Sequence, residues 1–227
     1  MMRAENKNSG LKEFLKWVET FVIAVLIALL IRGFIFEPVV VRGVSMENTL
    51  LDGQRLIIYK LGYFFNPPQR GDIIVLQYEK GLIENIPFLS KYDFLNRVLP
   101  SPHEIDFIKR VIGIPGDIIN IKDGYVYVND EKLDEPYIKG MTYENVIGFP
   151  VEVPPDTVFV LGDNRENSRD SRTFGFVEFN RIKGKAILRV WPLKEWCVIK
   201  WHLQRSKIDD GGLNLNGNYT MVSGPYG

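Results

Sequence analysis

The hydrophobic pattern divides the chain into an unbroken apolar run, a region of short apolar runs, and a polar end. Residues 21–31 are consecutively apolar, and extension to residues 17–36 gives about twenty residues, enough for a helix that spans a bilayer core. After residue 36, short apolar runs are separated mostly by glycine or proline, which is typical of β-strands. Residues 203–227 are rich in Gly, Asn, Asp and Ser, and they predict a mobile tail.

The short runs predict a mostly antiparallel all-β ectodomain over residues 37–202, because no convincing amphipathic helix lies between them. Asp-Gly at 123–124 and Asn-Asp at 129–130 indicate tight turns. Residues 129–156 predict a hairpin or small insertion, and residues 79–106 a loop or short helix near a membrane. The predicted strands are 39–42, 55–60, 72–78, 107–112, 118–122, 124–128, 157–161 and 185–191.

The apolar segment at residues 17–36 is predicted to be an uncleaved anchor. Four basic residues precede it, and no Ala-X-Ala-like cleavage site follows it. A buried helix of a soluble protein is the alternative, but residues 21–31 offer no polar face. The positive-inside rule then assigns residues 1–16 to the cytoplasm and the ectodomain to the outer side of the membrane.

Composition excludes several classes of function. The formal net charge is zero, so no basic field indicates a nucleic-acid partner. One cysteine permits no internal disulfide, and with only two histidines, His103 and His202, a Cys/His zinc site is disfavoured. We therefore expect no metal and no cofactor.

Ser45 and Lys109 are candidate reactive residues that their own surroundings do not settle. Ser45 lies in the non-periodic stretch RGVSMENTLLDGQ, residues 42–54, where most serines form turns or bind water. In a strand, Lys109 shares a face with Phe107 and Val111, while Arg110 lies on the other face. One of the two basic residues is thus turned toward an apolar side, where it either covers apolar surface with its stem or acts as a desolvated base.

The third unusual stretch is LGDNRENSRDSRTFG, residues 161–175, which contains ten successive polar residues. Two structures are compatible with this composition. One is an ordinary solvated loop. The other is a self-bonded polar turn, in which carboxylates and guanidiniums pair to fix its shape.

Together these stretches resemble the bacterial type I signal peptidases, a family of membrane-anchored serine proteases. The resemblance covers residues 14–192, and its pieces occur in the family's order. They are the N-terminal anchor, GVSMENTLLDG, RGDIIV at 70–75, IKRVIGIPGD at 108–117, GDNRENSRDSR at 162–172 and GKAILRVWP at 184–192. The resemblance implies a β-rich catalytic core with a smaller β insertion, and cleavage of signal peptides after small residues of the Ala-X-Ala type through an acyl-enzyme.

The resemblance also implies the roles of individual residues. Ser45 corresponds to the nucleophile and Lys109 to the general base of a Ser/Lys dyad. Ser168 corresponds to a residue that hydrogen-bonds the lysine amine, and Asp170 with Arg172 to a pair that holds the site together. An ordinary lysine has a pKa of about 10.4, so burial must lower the pKa of Lys109 before it can accept a proton near neutral pH.

The sequence departs from the family pattern beside the nucleophile. Many members have a serine where Gly43 stands, and its hydroxyl is credited with half of the oxyanion hole. A backbone N–H, such as that of Ser45 itself, must then take this part. Asn48 and Gln54 also differ from the common family residues, and neither has a proposed catalytic role.

The resemblance implies that secretory preproteins, the lipid bilayer and the protein export machinery are the partners, at a bacterial plasma membrane. Met46, Phe64 and Phe65 are weak candidates for substrate or membrane contact. Two other readings stay open. One is a processing peptidase of the same chemistry with a dedicated substrate, such as a pilin, a conjugation factor or a self-cleaved regulator. The other is a non-catalytic anchored β-domain.

Overall fold

A long apolar helix precedes the β-rich part of the protein. The computed structural model describes residues 6–79 and 105–199. Helix α1 spans Asn6–Leu30, and a π-helical turn, Ile31–Ile35, continues it. The segment Gly10–Ile35 has 26 residues with a mean hydropathy of 2.3 in its most apolar window, so it is long and apolar enough to cross a membrane. The predicted N-terminal apolar helix is therefore confirmed.

The larger of two sheets has eight strands, and every strand pair in it is antiparallel. Its order is β1-β2-β11-β3-β4-β9-β10, with β12 also paired to β11. The strands are β1 Phe36–Val40, β2 Arg55–Tyr59, β3 Ile73–Glu79, β4 Ile105–Gly113, β9 Thr157–Leu161, β10 Val177–Glu178, β11 Ile182–Trp191 and β12 Cys197–Val198. Two short helices accompany this sheet, α2 Gly62–Phe65 and α3 Ser171–Phe174.

The smaller sheet has four antiparallel strands in the order β7-β6-β5-β8. They are β5 Ile118–Lys122, β6 Tyr125–Val128, β7 Glu131–Lys132 and β8 Val151–Glu152. Asp123 and Gly124 join β5 to β6 with φ angles of 54° and 83°. These are the left-handed conformations that the Asp-Gly pair predicts for a tight hairpin.

All eight predicted strands are present, so the antiparallel all-β prediction is confirmed. Strand β1 begins earlier than predicted, at Phe36, and pairs with β2 along its whole length. Pro38 is tolerated there because β1 is an edge strand, where a missing N–H need not break a ladder. The two-residue strands β7, β8, β10 and β12 were not predicted, since two residues show no alternation.

The loop after β1 is anchored in the core of the large sheet. Met46 and Leu50 are each 1% exposed and pack with Leu56, Ile58 and Val75. Burial of a side chain of this size contributes roughly 1.5–3 kcal/mol. The loop that carries Ser45 is thus fixed to the core by these two buried side chains rather than lying free on the surface.

Of the remaining sequence-based expectations, several fall on residues that the structure does not describe. These are the tail at 203–227, most of the predicted loop or short helix at 79–106, and both histidines.

Candidate active site

Ser45 lies in a tight turn directly after β1. The Val41 N–H donates to the Gln54 carbonyl over 2.8 Å, and the Gly53 N–H donates back to the Val41 carbonyl over 3.0 Å. Gly43 has a φ of 84°, a left-handed conformation that a side chain would disfavour. Because the next residue, Met46, is buried, the half-buried Ser45 side chain is held at a defined place.

Lys109, on β4, contacts Ser45 directly. Its Nζ lies 2.8 Å from the Ser45 Oγ and 2.9 Å from the Ile108 carbonyl oxygen, to which it donates. The residue is only 3% exposed. Burial lowers the pKa of Lys109 from 10.5 to about 8, against the opposing influence of the Asp170 and Asp163 carboxylates. A substantial fraction of this amine is therefore neutral at mildly alkaline pH.

Both adjacent basic residues are buried, whereas the sequence pattern predicted one of them to face an apolar side. Arg110 is also 3% exposed. Its guanidinium binds the Asp163 carboxylate through two hydrogen bonds, of 2.9 and 2.6 Å, and stacks 3.8 Å from the centre of the Tyr137 ring. The charge of Arg110 is thus compensated by a carboxylate, while Lys109 has no carboxylate in salt-bridge contact among the described residues.

The polar loop, residues 162–172, is mostly buried and self-bonded, so a solvated loop is the wrong alternative. Asp170 and Arg172 form a two-point ion pair, with distances of 2.8 and 2.9 Å. Asp170 also accepts the Gly162 N–H over 3.0 Å, and Arg172 donates to the Arg165 carbonyl over 2.7 Å. These bonds tie the end of the loop to its beginning.

Two ion pairs connect the polar loop to other parts of the chain. Arg165 forms an ion pair with Glu135, which lies on the segment after β7. It also donates to the Thr142 hydroxyl over 2.6 Å and to the Gly162 carbonyl over 3.0 Å. Arg110 enters from β4 to bind Asp163. The polar loop is therefore fixed by β4 and by the segment after β7 as well as by itself.

Ser168 does not make the hydrogen bond to Lys109 that the resemblance implies. The Ser168 Oγ is buried and has no hydrogen-bond partner among the described residues. It lies against Gly162, where an added Cβ would be 2.1 Å from it and 2.5 Å from the Ser45 carbonyl oxygen. The hydroxyl is thus separated from the Ser45 backbone only by a glycine.

Gly43 and the three candidate contact residues have different positions. The Gly43 N–H donates to the Asp52 carboxylate over 2.6 Å, so it is not free for a substrate oxygen. Met46 is 1% exposed, which corrects its interpretation as a surface contact: its side chain fills the core instead. Phe65 is 77% exposed, and the Phe64 side chain lies outside the described part of the protein.

Sequence reasoning missed the groups that surround the dyad from elsewhere in the chain. Asp163, Glu135 and Thr49 each contact a buried guanidinium. Asn164 binds the backbone on both sides of Ser45. Asp163 and Asn164 stand in the quoted loop, but nothing in the spacing of the sequence indicates their partners. Among the described residues, no group of three or more His, Cys, Asp or Glu side chains could hold a metal ion.

Comparison with known proteins places this chain in a family. The family model described as signal peptidase, peptidase S26, matches residues 14–191. A curated relative, signal peptidase I of Bacillus licheniformis, is 35% identical over 202 residues, which is 85% of this chain and 95% of the relative. Signal peptidase I of Bacillus caldolyticus is 40% identical over 188 residues, 77% of this chain and 90% of the relative.

A solved structure of a signal peptidase I from Enterococcus faecalis is 28% identical to the chain, covers 53% of it and 97% of the solved chain, and gives a TM-score of 0.34. The family model and the curated relatives define the class of this protein as a serine endopeptidase. The chain belongs to the signal peptidase family, peptidase S26.

Proposed function

We propose that this endopeptidase removes N-terminal signal peptides from exported preproteins through a Ser45/Lys109 dyad. One observation carries the mechanism: the buried Lys109 Nζ lies 2.8 Å from the Ser45 Oγ. The family match and the curated relatives named signal peptidase I support the substrate class. A serine needs a base to become a good nucleophile, and a lysine with a lowered pKa is one of the groups able to act so.

Two contacts of Lys109 support proton transfer from the Ser45 hydroxyl to the amine. The Ile108 carbonyl can only accept, so an N–H of the amine faces it at 2.9 Å. In the neutral amine the lone pair is then available to the Ser45 hydroxyl, which donates to it. General-base assistance of this kind contributes typically 10²- to 10⁴-fold in rate.

The reaction follows from this arrangement in two halves. The Ser45 Oγ bonds to the scissile carbonyl carbon while its proton passes to the Lys109 Nζ. The tetrahedral intermediate then expels the new N-terminus of the mature protein, which takes the proton from Lys109, and the signal peptide remains as an ester on Ser45. Water next attacks the ester while Lys109 takes its proton. The Ser45 Oγ then leaves with this proton from Lys109, and the signal peptide is released as a free acid.

The Ser45 N–H is the backbone donor that we assign to the developing oxyanion. It belongs to the nucleophile itself, and it has no backbone acceptor among the described residues. The Gly43 N–H, by contrast, is bound to Asp52. Loss of one oxyanion donor costs roughly 2.7–4 kcal/mol of transition-state stabilisation in other serine proteases.

The edge of β4 before Lys109 is a suitable place for an extended substrate. Residues 106–108 pair with β3 on one side, whereas β9 pairs with β4 only from Arg110 onward. Among the described strands, none covers the other side of 106–108. A substrate strand that adds to this edge would place its scissile bond near Ser45 and gain main-chain hydrogen bonds.

We further propose that the part of α1 from residue 17 onward anchors the enzyme in the bacterial plasma membrane, with residues 1–16 in the cytoplasm and the β domain outside. The length and hydropathy of Gly10–Ile35 support the anchor, and the basic residues before it support the orientation. The bilayer and the preproteins delivered by the export machinery are then the partners. An anchored enzyme meets its substrate where the signal peptide leaves the membrane.

The test uses the full chain solubilised in detergent and several unrelated preproteins with Ala-X-Ala sites. We expect one cut directly after the second alanine, located by mass spectrometry, and no cut by the Ser45→Ala variant. Replacing both alanines of the site with bulky residues should abolish cleavage. Cleavage of one preprotein alone would favour a dedicated processing peptidase, and cleavage by Ser45→Ala would overturn the mechanism.

A further inference from the structure

Asn164 contacts both peptide groups that flank Ser45. The Asn164 backbone N–H donates to the Ser45 carbonyl over 3.0 Å. Its side-chain Nδ2 donates to the Val44 carbonyl over 3.1 Å, and the same nitrogen lies 3.3 Å from the Glu47 carboxylate. Asn164 is 1% exposed. One buried residue therefore holds the backbone immediately before and immediately after the candidate nucleophile.

The orientation of the Asn164 amide follows from its partners. A carbonyl oxygen and a carboxylate oxygen can only accept hydrogen bonds, so the NH₂ group, and not the Oδ1, must face them. The Oδ1 is buried on the other side and has no partner among the described residues. An aspartate has the same shape but would set an acceptor against two acceptors, so the site requires the amide.

The contact with Val44 determines where the Ser45 N–H points. The Val44 C=O and the Ser45 N–H belong to one planar trans peptide group, in which they point in opposite directions. Because Asn164 binds the Val44 oxygen, the Ser45 N–H is turned away from the polar loop. We propose that Asn164 is a positioning residue that aims the Ser45 N–H at the substrate oxyanion.

This role rests on the proposed function. It explains how an oxyanion donor can be held in place although position 43 has no serine hydroxyl. A hydroxyl donor can rotate toward an oxyanion, whereas the direction of a backbone N–H is set by the orientation of its peptide plane. The Glu47 N–H also donates to the Val44 oxygen, over 3.1 Å, so this carbonyl is held from two directions. Rigid support of this kind is what a preorganised donor needs.

The surroundings of Asn164 fix its own position. The backbone of Lys139 brackets it, because the Lys139 N–H donates to the Asp163 carbonyl over 2.8 Å and the Arg165 N–H donates to the Lys139 carbonyl over 2.9 Å. The Lys139 ammonium binds Glu47 over 2.7 Å. Glu47, half-buried, is thereby kept beside the Asn164 amide as its second acceptor.

The experiment compares Asn164→Ala with the wild type and with Asn180→Ala, which loses only an exposed contact with Glu178. Asn164→Ala keeps the backbone bond to Ser45 but removes the side-chain bond to the Val44 carbonyl, which is then held only by the Glu47 N–H. We expect kcat to fall ten- to hundredfold with KM within about threefold, because the oxyanion forms only in the transition state. The midpoint of the pH profile should stay unchanged, because Lys109 is not altered. Asn180→Ala should match the wild type.

A peptide boronic acid gives a second readout, since its tetrahedral anionic adduct with Ser45 uses the same donor. Its affinity for Asn164→Ala should fall by about the same factor as kcat, while the affinity of an uncleavable peptide stays constant. An unchanged kcat and an unchanged boronate affinity would overturn the role of Asn164. So would a shifted pH midpoint with an unchanged plateau, which would mean that the residue acts on Lys109.

Glu47→Ala provides the same test if Asn164→Ala does not fold. It removes the second acceptor of the Asn164 amide from a partly exposed position. We expect a smaller loss, about threefold to tenfold, in both kcat and boronate affinity; unchanged values in this folded variant would overturn the inference. Failure of the wild type to cut any preprotein would instead overturn the proposed function. This outcome is distinguishable from failure of the inference, in which the wild type cuts preproteins and the variants match it.

Discussion

Lys109 Nζ and Ser45 Oγ lie 2.8 Å apart although 64 positions separate the two residues in the sequence. The lysine stands on β4, and the serine follows β1 at the edge of the same sheet. The loop after β1 brings Ser45 to the amine, where Met46 and Leu50 enter the core.

The first prediction concerns the charge at position 109. Lys109→Arg should be as inactive as Lys109→Ala, with kcat/KM reduced at least 10³-fold, because a guanidinium cannot release its proton in this pH range. The exposed Lys122→Arg serves as the control and should match the wild type. Activity of Lys109→Arg above about a tenth of wild type would exclude the general-base role.

The pH dependence should follow the lowered pKa of Lys109. Burial lowers this pKa to about 8, so the amine is protonated below pH 8 and neutral above it. We expect kcat/KM to rise about tenfold per pH unit below the midpoint and to level off above it. The measurement is kcat/KM against pH on one signal-peptide substrate. A flat profile between pH 6 and 9 would contradict the assignment.

Burial of Lys109 should also reduce the stability of the fold. The folded-state pKa of about 8 lies below the ordinary 10.5, so the unfolded chain binds more protons between these values, and stability rises with pH across this window. At pH 7, burial of the charged amine therefore lowers the free energy of unfolding by about 3 kcal/mol.

Lys109→Met should therefore be more stable than the wild type at pH 7, and the difference should narrow as the pH rises from 8 toward 10.5. Unfolding of both proteins in the same detergent, followed at several pH values, measures this. A difference that stays constant with pH would mean that packing, and not the charge, causes it.

Gly162 should tolerate no side chain. A Cβ there would lie 2.1 Å from the Ser168 Oγ and 2.5 Å from the Ser45 carbonyl oxygen. Since the second of these is a backbone atom, Gly162→Ala must displace the loop that carries Ser45, and we expect a loss of stability of about 1–3 kcal/mol and at least a hundredfold loss of kcat. Gly148→Ala is the matched control, because nothing lies within 4 Å of its added Cβ. Equal activity of the two variants would show that the polar loop does not support Ser45.

Ser168→Ala should separate a chemical role from a structural one. The Ser168 Oγ has no hydrogen-bond partner among the described residues, so its removal should cost no folding free energy. If this hydroxyl orients the lysine amine during turnover, kcat should fall ten- to thousandfold while the melting temperature remains the same. Turnover at the wild-type rate would remove Ser168 from the site.

Local order along the chain sufficed to predict the N-terminal apolar helix and the eight longer strands. Apolar runs and alternation depend on nearest neighbours, and the Asp-Gly turn at 123–124 depends on the conformations that these two residues adopt. Ser45 and Lys109 were selected as the catalytic candidates because of the motifs that the chain shares with a family. Neither residue is distinguished by its own neighbours, since most serines and lysines in such surroundings are unreactive.

Only the tertiary structure decided which groups meet. Strand register brings Arg110 to Asp163, and the segment after β7 brings Glu135 to Arg165. The tertiary structure also buries Met46, which composition allowed on the surface. The bonds from Asn164 to Val44 and Ser45 span about 120 positions, and no periodicity relates residues so far apart. Such contacts arise from the packing of whole elements, so the direction of the Ser45 N–H is determined only in the folded chain.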